Sequence, residues 1–245
     1  MELNGKAALI TGGARIGQVV AAVLARHGAN VAMTYRTSKT SAEETVEETR
    51  ALGVRGLALR ADLTKPADLV HAVERAASVF GGLDILVNLA SIYEKTSLAS
   101  LDAGVWKKNM AANLESAYLL SLRCAPWMRR RGEGRIIHFS DWVAASGRPR
   151  YKEYLPYYVS KSGVVGLTQA LALELAPEIL VNAIAPGPIL PPPDLSAKEN
   201  RAVQRATPLG RWGGPEEIAK AVLFLIETDF VTGECIRVDG GRHLY

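Results

Sequence analysis

Cysteine is scarce in this chain of 245 residues, which has only Cys124 and Cys235. Two distant cysteines cannot build a disulfide framework, and their spacing suits neither zinc nor a redox pair. The four histidines also lack the spacing of metal ligands. We therefore predict no metal site, a reducing compartment, and buried packing positions for both thiols.

Long apolar runs are missing as well. No stretch of about 18 apolar residues occurs, so the sequence predicts no transmembrane helix. The first six residues lead directly into a strand pattern and contain neither a charged leader nor an apolar signal core. We expect a cytoplasmic protein without a membrane partner.

Charge of one sign is concentrated only at Arg129, Arg130 and Arg131. The chain carries 29 Lys and Arg against 25 Asp and Glu, a formal charge of +4. Such a small and scattered positive excess suits an anionic small molecule, and we expect no nucleic-acid partner. We interpret the arginine triplet as a solvated helix end.

The composition that remains is that of one globular domain covering 1–245. Hydrophobic residues make up 48% and charged residues 22%, without internal repeats or a dividing linker. Short apolar runs alternate with longer helical patterns, which predicts an α/β fold with a parallel sheet and helices on both faces. The predicted strands are Ala7–Ile10, Val31–Tyr35, Gly56–Leu59, Ile85–Val87, Arg135–Phe139, Val181–Ile184 and Cys235–Val238.

Helical patterns fill the gaps between the strands. Helices are expected from Ile16, near Ser41, after Thr64, over Asp102–Met128 and over Tyr157–Leu175. Ser41 and Glu44 have the spacing of a reciprocal N-terminal cap. The segment 188–208 contains three consecutive prolines, which fit neither a helix interior nor a central strand. We expect it to lie over the mouth or edge of the sheet with a short helix, either as a substrate loop or as a plain surface connection.

A glycine-rich turn, T-G-G-A-R-I-G, joins the first strand to the first helix. Glycines let the backbone pass close to a pyrophosphate, and the following helix directs its N-terminal amides at that anion. Because a strand and a helix flank the pattern, we predict dinucleotide binding here rather than a plain tight turn.

The end of the second strand indicates which dinucleotide binds. It reads T-Y-R-T and lacks the carboxylate that would hold the ribose hydroxyls of NAD. Arg36, with Thr37 beside it, suits a 2′-phosphate and predicts NADPH, although an arginine that is merely exposed after a strand is the alternative. Asp62 follows the third strand, where it either accepts a hydrogen bond from adenine or helps to start the next helix.

Tyr157 and Lys161 stand four residues apart in Y-Y-V-S-K, which places a phenol and an ammonium on one helical face. The positive charge is expected to lower the pKa of the phenol, so that it can give a proton to a substrate. Asp141 follows the strand before this helix, and Asn113 is a polar residue on the apolar face of an earlier helix. These features predict a reductase that adds hydride and proton at one site.

In their order, the motifs resemble those of the short-chain dehydrogenase/reductase family over nearly the whole chain. They are the glycine-rich turn, V-N-L-A, Asn113, Tyr157 with Lys161, P-G, and V-D-G-G. The resemblance implies a Rossmann-like, doubly wound sheet of about seven parallel strands, a nicotinamide cofactor and usually a homotetramer or dimer, of which we expect the homotetramer. It also implies catalytic roles for Asp141, Tyr157, Lys161 and Asn113.

The cofactor-binding residues predicted from the patterns and the resemblance together are Thr11, Gly12, Arg15, Ile16, Gly17, Arg36, Thr37, Asp62, Leu63, Asn88, Ala90, Ser91, Lys161, Pro186 and Gly187. Two departures from the family pattern accompany them. The glycine-rich turn is one residue shorter than usual, and Leu89 replaces the second asparagine of N-N-A. We expect a repacked strand end at Leu89.

Most family members have a serine after the fifth strand to hold a substrate carbonyl, whereas this chain has Asp141 at that place. An ionised carboxylate only accepts hydrogen bonds and repels an oxyanion. The expected partner is therefore a donor, either the Tyr157 hydroxyl or the N–H groups of an amino-substituted heterocycle. With Arg15, Ser91 and Tyr93, this aspartate resembles the pteridine reductase branch. That resemblance implies that Arg15, Ser91, Tyr93, Asp141 and Tyr157 bind a pterin, whose flat ring would stack on Tyr93.

One main hypothesis and two rivals follow. The main hypothesis is NADPH-dependent reduction of a dihydropterin or a dihydrofolate-type substrate, with the proton supplied through Tyr157. The first rival is a carbonyl reductase for 3-oxoacyl thioesters or other ketones, which the same scaffold supports. The second rival is a non-catalytic NADP(H) sensor that regulates a partner protein.

Overall fold

Seven short apolar runs form one parallel sheet in the computed structural model of the protein, which describes residues 1–12 and 14–244. The strands are β1 (Ala7–Thr11), β2 (Asn30–Tyr35), β3 (Gly56–Arg60), β4 (Ile85–Asn88), β5 (Gly134–Phe139), β6 (Ile179–Pro186) and β7 (Cys235–Val238). Every residue of β1, β4 and β5 is buried, because helices cover both faces of the sheet. The predicted α/β fold is confirmed, and each strand lies within two residues of its predicted bounds.

The strands lie in the order β3-β2-β1-β4-β5-β6-β7, and all neighbours are parallel. The chain order reverses between β1 and β4, where Thr11 lies opposite Asn88. Ligands of such doubly wound sheets bind beyond the carboxyl ends of the strands at this reversal. The topology therefore places a binding cleft next to the ends of β1 and β4.

Nine α-helices connect the strands in the described part of the chain. They are α1 (Ile16–Arg26), α2 (Lys39–Ala51), α3 (Pro66–Phe80), α4 (Ala103–Met110), α5 (Ser116–Arg131), α6 (Trp142–Ala145), α7 (Leu155–Leu175), α8 (Ala197–Arg205) and α9 (Pro215–Glu227). One apolar cluster packs α1 and α9 against one face of the sheet, and a second packs α3, α5 and α7 against the other. Since burying one large apolar side chain is worth roughly 1.5–3 kcal/mol, these two layers supply most of the driving force for the fold.

Two helix starts differ from the sequence-based expectation. The reciprocal cap predicted at Ser41 is wrong, because α2 begins at Lys39 and the Ser41 hydroxyl accepts a hydrogen bond from Gln18 Nε2 at 2.9 Å. The reciprocal cap occurs at α8 instead, between Ser196 and Glu199. Helix α7 starts two residues earlier than predicted.

The first long predicted helix is present but interrupted. Asp102 caps α4, a π-helical turn follows at Ala111–Glu115, and α5 continues to Arg131. Arg131 Nε donates to the buried Asp84 at 3.0 Å, so the arginine triplet is more than a solvated helix end. In residues 1–12 and 14–244, no helix combines the length and the apolar character that a bilayer crossing requires.

Candidate active site

A cleft of about 740 Å³ opens beyond the carboxyl ends of the strands, at the place where the strand order reverses. Most of the residues that the sequence singled out line it. They are Gly12, Arg15, Ile16, Gly17, Arg36, Thr37, Asp62, Leu63, Ala90, Ser91, Tyr93, Asp141, Tyr157, Lys161, Pro186 and Gly187. The cleft therefore brings together side chains from both ends of the chain.

Thr11 and Asn88 lie behind the cleft rather than in its lining. The Thr11 hydroxyl donates to Asn88 Oδ1 at 2.6 Å and accepts a hydrogen bond from the Ala90 amide at 3.2 Å. Both side chains are buried. They join the ends of β1 and β4 and so fix the floor on which a cofactor would rest.

Asn113 also acts through its neighbours, from the middle of the π-helical turn. Its Oδ1 accepts a hydrogen bond from the Ile92 amide at 2.8 Å, and its Nδ2 donates to the Ile92 carbonyl at 3.1 Å and to Ser160 Oγ at 3.0 Å. The asparagine therefore fastens the segment that carries Ser91 and Tyr93 to helix α7. A π-helical turn often occurs at such functional positions.

Within the glycine-rich turn, the backbone at Gly17 lies so close to the backbone at Gly12 that a side chain at Gly17 would not fit. A Cβ at Gly17 would lie 2.1 Å from the Gly12 carbonyl oxygen, and Gly12 itself has φ +83°. The N-terminus of α1 follows and faces the cleft, which suits the pyrophosphate of a dinucleotide. Gly13, the middle of the shortened turn, lies outside the described residues.

Arg15 bridges the two sides of the cleft. Its Nη2 donates to the Pro191 carbonyl at 3.0 Å, which links the glycine-rich turn to the proline-rich segment. Pro192 and Val203 of that segment line the cleft as well. The segment 188–208 thus lies over the mouth of the sheet, as the prolines predicted.

At the opposite end of the cleft, a cationic side chain, Arg36, follows β2 and a carboxylate, Asp62, follows β3. Arg36 and Thr37 are exposed and line the cleft. Asp62 Oδ1 accepts hydrogen bonds from the Thr64 amide at 3.0 Å and from its hydroxyl at 2.8 Å. These bonds, and to a lesser degree the charge of Arg36, lower the pKa of Asp62. One oxygen of Asp62 thus serves the turn before α3, which was the second of the two roles expected for it.

Tyr157 and Asp141 are hydrogen-bonded to each other in the centre of the cleft. The Tyr157 hydroxyl donates to Asp141 Oδ2 at 3.1 Å, and Asp141 Oδ1 caps α6 by accepting from the Val143 amide at 2.7 Å. Burial raises the pKa of Asp141, while the bonds from Val143 and Tyr157 oppose that rise. The aspartate therefore combines a capping role with a direct contact to the phenol.

The expected lowering of the Tyr157 pKa is wrong for this arrangement. Burial and the negative charge of Asp141 raise the pKa of Tyr157 well above its ordinary value. Lys161 Nζ lies 5.9 Å from the ring centroid and donates to the Phe139 carbonyl at 2.7 Å. Burial lowers the pKa of Lys161 to about 8, against the opposing effect of Asp141. Sequence spacing correctly paired the two side chains but could not reveal how deeply they are buried.

A continuous row of aromatic rings extends from Tyr157 along the substrate side, and we call Tyr93, Tyr154, Tyr151 and Trp142 the aromatic wall. The centroids of Tyr93 and Tyr157 are 4.7 Å apart, and Tyr154 stacks on Tyr93 at 4.6 Å. Tyr151 joins Tyr154 at 6.3 Å and Trp142 at 6.1 Å. The sequence analysis predicted Tyr93 on this side but missed Tyr151 and Tyr154, for which the three-residue spacing of tyrosines 151, 154 and 157 was the available signal.

Comparisons with known proteins give matches that cover nearly the whole chain. A family model described as enoyl-(acyl carrier protein) reductase matches residues 13–243. The 3-oxoacyl-[acyl-carrier-protein] reductase FabG of Staphylococcus aureus is 36% identical over 245 residues, covering 98% of this chain and 98% of the relative. The L-rhamnose 1-dehydrogenase (NAD(P)(+)) of a Sphingomonas species is 35% identical over 251 residues, covering 99% and 98%.

Solved structures of similar proteins also match nearly the whole chain. A short-chain dehydrogenase/reductase from Serratia marcescens superposes with a TM-score of 0.91 at 35% identity, covering 99% of this chain and 100% of that one. A blue fluorescent protein from a metagenomic library, solved in complex with NADPH, has a TM-score of 0.89 at 32% identity and covers 99% of both chains.

The pteridine reductase interpretation is wrong, because the relatives that match the whole chain are named 3-oxoacyl-[acyl-carrier-protein] reductase and L-rhamnose 1-dehydrogenase. The contact expected between Asp141 and the Tyr157 hydroxyl is present, and Tyr154 covers one face of Tyr93. With its fold, its cleft and its relatives in agreement, the chain belongs to the short-chain dehydrogenase/reductase family, whose members are oxidoreductases that use a nicotinamide cofactor.

Proposed function

We propose that the protein is an NADPH-dependent carbonyl reductase that acts on 3-oxoacyl thioesters or other ketones. The observation that carries this proposal is the full-length similarity to 3-oxoacyl-[acyl-carrier-protein] reductases, in a chain that places a phenol in the cleft. The same similarity counts against a purely regulatory NADP(H) sensor, because Tyr157 and Lys161 are both present and adjacent in space.

The preference for NADPH is supported by the residues at the end of β2. Arg36 and Thr37 line the cleft and are exposed, so they can form charge-assisted hydrogen bonds with a 2′-phosphate. The glycine-rich turn and the N-terminus of α1 would hold the pyrophosphate. When bound, the nicotinamide would supply the hydride for the carbonyl carbon.

The residues of the chain itself would handle the proton. Tyr157 would donate its hydroxyl proton to the carbonyl oxygen as negative charge develops there. Lys161 carries a positive charge below about pH 8 and would stabilise the resulting phenolate. Asn113 would keep the segment around Tyr93 in place while the proton moves.

The family pattern has a serine at the position of Asp141, so a carboxyl group here must tolerate the negative charge that develops on the substrate oxygen. Burial raises the pKa of Asp141, which favours the protonated carboxyl. A protonated carboxyl can donate a hydrogen bond to a carbonyl oxygen, as a serine hydroxyl does. We propose that the protonated form of Asp141, which burial favours over the ionised form, can act as a second donor to the substrate carbonyl.

The test is the oxidation of NADPH in the presence of acetoacetyl thioesters of coenzyme A and of N-acetylcysteamine, with a simple ketone for comparison. We expect oxidation of NADPH and formation of one equivalent of the 3-hydroxy product. An enzyme that binds NADPH but oxidises it with none of these carbonyl compounds would contradict the proposal. The homotetramer stays a prediction, which analytical ultracentrifugation would test.

A further inference from the structure

Arg242 lines the cleft at the end of the aromatic wall, where sequence reasoning assigned no role. It begins a short 3₁₀ turn after β7. Asp239 holds that turn, because its carboxylate accepts hydrogen bonds from the amides of Gly241 at 2.9 Å and His243 at 3.0 Å. The backbone that carries the arginine is therefore fixed by a buried carboxylate.

The guanidinium of Arg242 lies against a ring but lacks a partner for one nitrogen. Its Cζ is 5.8 Å from the centroid of the buried Trp142 ring. Its Nη1 is buried and has no hydrogen-bond partner among residues 1–12 and 14–244. Within the same described residues, none of the ion pairs includes Arg242.

Two other arginines with partly or fully buried side chains have partners within the protein. Arg131 pairs with the buried Asp84, and Arg135 donates to backbone carbonyls and to Asp229. A buried donor without an acceptor is unfavourable and rare in folded proteins. In a cleft, such a group is satisfied when a ligand arrives.

The position of Arg242 identifies that ligand as the substrate rather than the cofactor. Dinucleotide phosphates belong to the glycine-rich turn and to Arg36, whereas Arg242 contacts Trp142, the neighbour of Asp141. The charge of Arg242 also acts on Tyr151, where it opposes the rise in pKa that burial causes. A second cation, Arg150, lies 5.6 Å from the same Trp142 ring.

We propose that Arg242 binds a carboxylate of the substrate, so that oxo acids are reduced in preference to neutral ketones. The planar guanidinium of an arginine matches the two oxygens of a carboxylate, and Nη1 of Arg242 is the nitrogen that lacks an acceptor. The aromatic wall would cover the carbon chain between that carboxylate and the carbonyl beside Tyr157. This inference rests on the proposed carbonyl reduction and narrows its substrate class to anionic ketones.

The test compares 3-oxobutanoate, 4-oxopentanoate and 5-oxohexanoate with their methyl esters, in the wild type and in Arg242→Met. We expect the wild type to prefer the acid of one chain length. In Arg242→Met the KM for that acid should rise roughly 10- to 100-fold, the range for loss of a charged hydrogen bond, while values for its ester stay within about twofold. Arg237→Met is the matched control, since Arg237 is exposed on β7 and donates to the Ala145 carbonyl.

Calorimetric titration with glutarate in the presence of NADP⁺ separates this inference from the proposed function. If no ketone is reduced but glutarate binds the wild type and Arg237→Met and fails to bind Arg242→Met, carbonyl reduction is wrong and the carboxylate site stands. If glutarate binds all three proteins equally, or binds none, the carboxylate site is wrong. Equal changes in KM for acid and ester in Arg242→Met would also overturn it.

Discussion

The two halves of the cleft are built from different parts of the protein. In the cofactor half, backbone and the ends of strands and helices form the surface, as at Gly12, Gly17 and the Thr11–Asn88 hydrogen bond. In the substrate half, side chains from loops and turns pack on one another, as in the stack of Tyr93 on Tyr154. We propose that the first half provides the chemistry common to the family and that the second half determines which substrate is accepted.

Tyr157 lies where the two halves meet, so its loss should have the largest effect. Replacing Tyr157 by Phe removes the proton donor and should lower kcat by about 10²- to 10⁴-fold. The dissociation constant for NADPH, measured by fluorescence titration, should stay within about twofold of the wild-type value. A variant that keeps most of its turnover would show that another group donates the proton.

Arg36 tests the cofactor half alone. Replacing Arg36 by Gln should reduce the preference for NADPH over NADH by about 10- to 100-fold, because charge-assisted bonds to the 2′-phosphate are lost. The ratio of kcat/KM for the two cofactors measures this change. Arg26→Gln, which removes an exposed arginine at the end of α1, is the control. An unchanged ratio in Arg36→Gln would mean that the 2′-phosphate binds elsewhere.

The pH dependence of kcat/KM tests the role of Asp141, which lies beside Tyr157 where the two halves meet. Burial raises its pKa above the ordinary value of 3.8, so the carboxyl is protonated below that pKa and ionised above it. If the protonated form donates to the substrate, wild-type kcat/KM should fall about tenfold per pH unit as pH rises through this pKa. Asp141→Asn cannot ionise and should show no fall in that range.

The same variant has a second consequence at alkaline pH. Asp141 raises the pKa of Lys161, which burial has lowered to about 8. Without the carboxylate, Lys161 should lose its proton at a lower pH, and the alkaline fall in kcat/KM should begin earlier in Asp141→Asn. Superimposable pH profiles for the two proteins would contradict both roles of the aspartate.

A substitution in the aromatic wall tests the substrate half and should have the smallest effect of those described. Replacing Tyr154 by Leu removes the ring that stacks on Tyr93, and such a pair is worth about 0.5–1.5 kcal/mol. We expect KM for the substrate to rise about 2- to 10-fold while NADPH binding is unchanged. Tyr118→Leu, an exposed tyrosine on α5, is the control. Equal effects of the two substitutions would mean that the wall does not contact substrate.

Local sequence patterns predicted the fold and the position of the glycine-rich turn at the cleft. Buried strands have short apolar runs, and the turn containing Gly12 and Gly17 has a spacing that few other structures require. The cap at Ser41 was wrong for a tertiary reason, since Gln18 from another helix binds its hydroxyl. Local rules hold where neighbours in sequence decide the structure.

The substrate half could be predicted only in part, because distant residues meet there. Trp142 and Arg242 are separated by 100 positions and touch only in the folded chain, so no local pattern signals their contact. The direction of the Tyr157 pKa shift was predicted wrongly, because burial and the charge of Asp141 raise this pKa. The pterin hypothesis failed for another reason: the expected contact between Asp141 and Tyr157 is present, but the relatives of the chain are named reductases and dehydrogenases of other substrates.

Transfer of deuterium tests the central claim most directly. NADPH deuterated in turn at each face of the nicotinamide C4 would be incubated with an acetoacetyl thioester and either the wild type or Tyr157→Phe. We predict that one of the two cofactors yields 3-hydroxybutyryl thioester one mass unit heavier with the wild type, and that the variant gives almost no product. Absence of deuterium from the product with both cofactors, or equal product from the variant, would contradict carbonyl reduction by Tyr157.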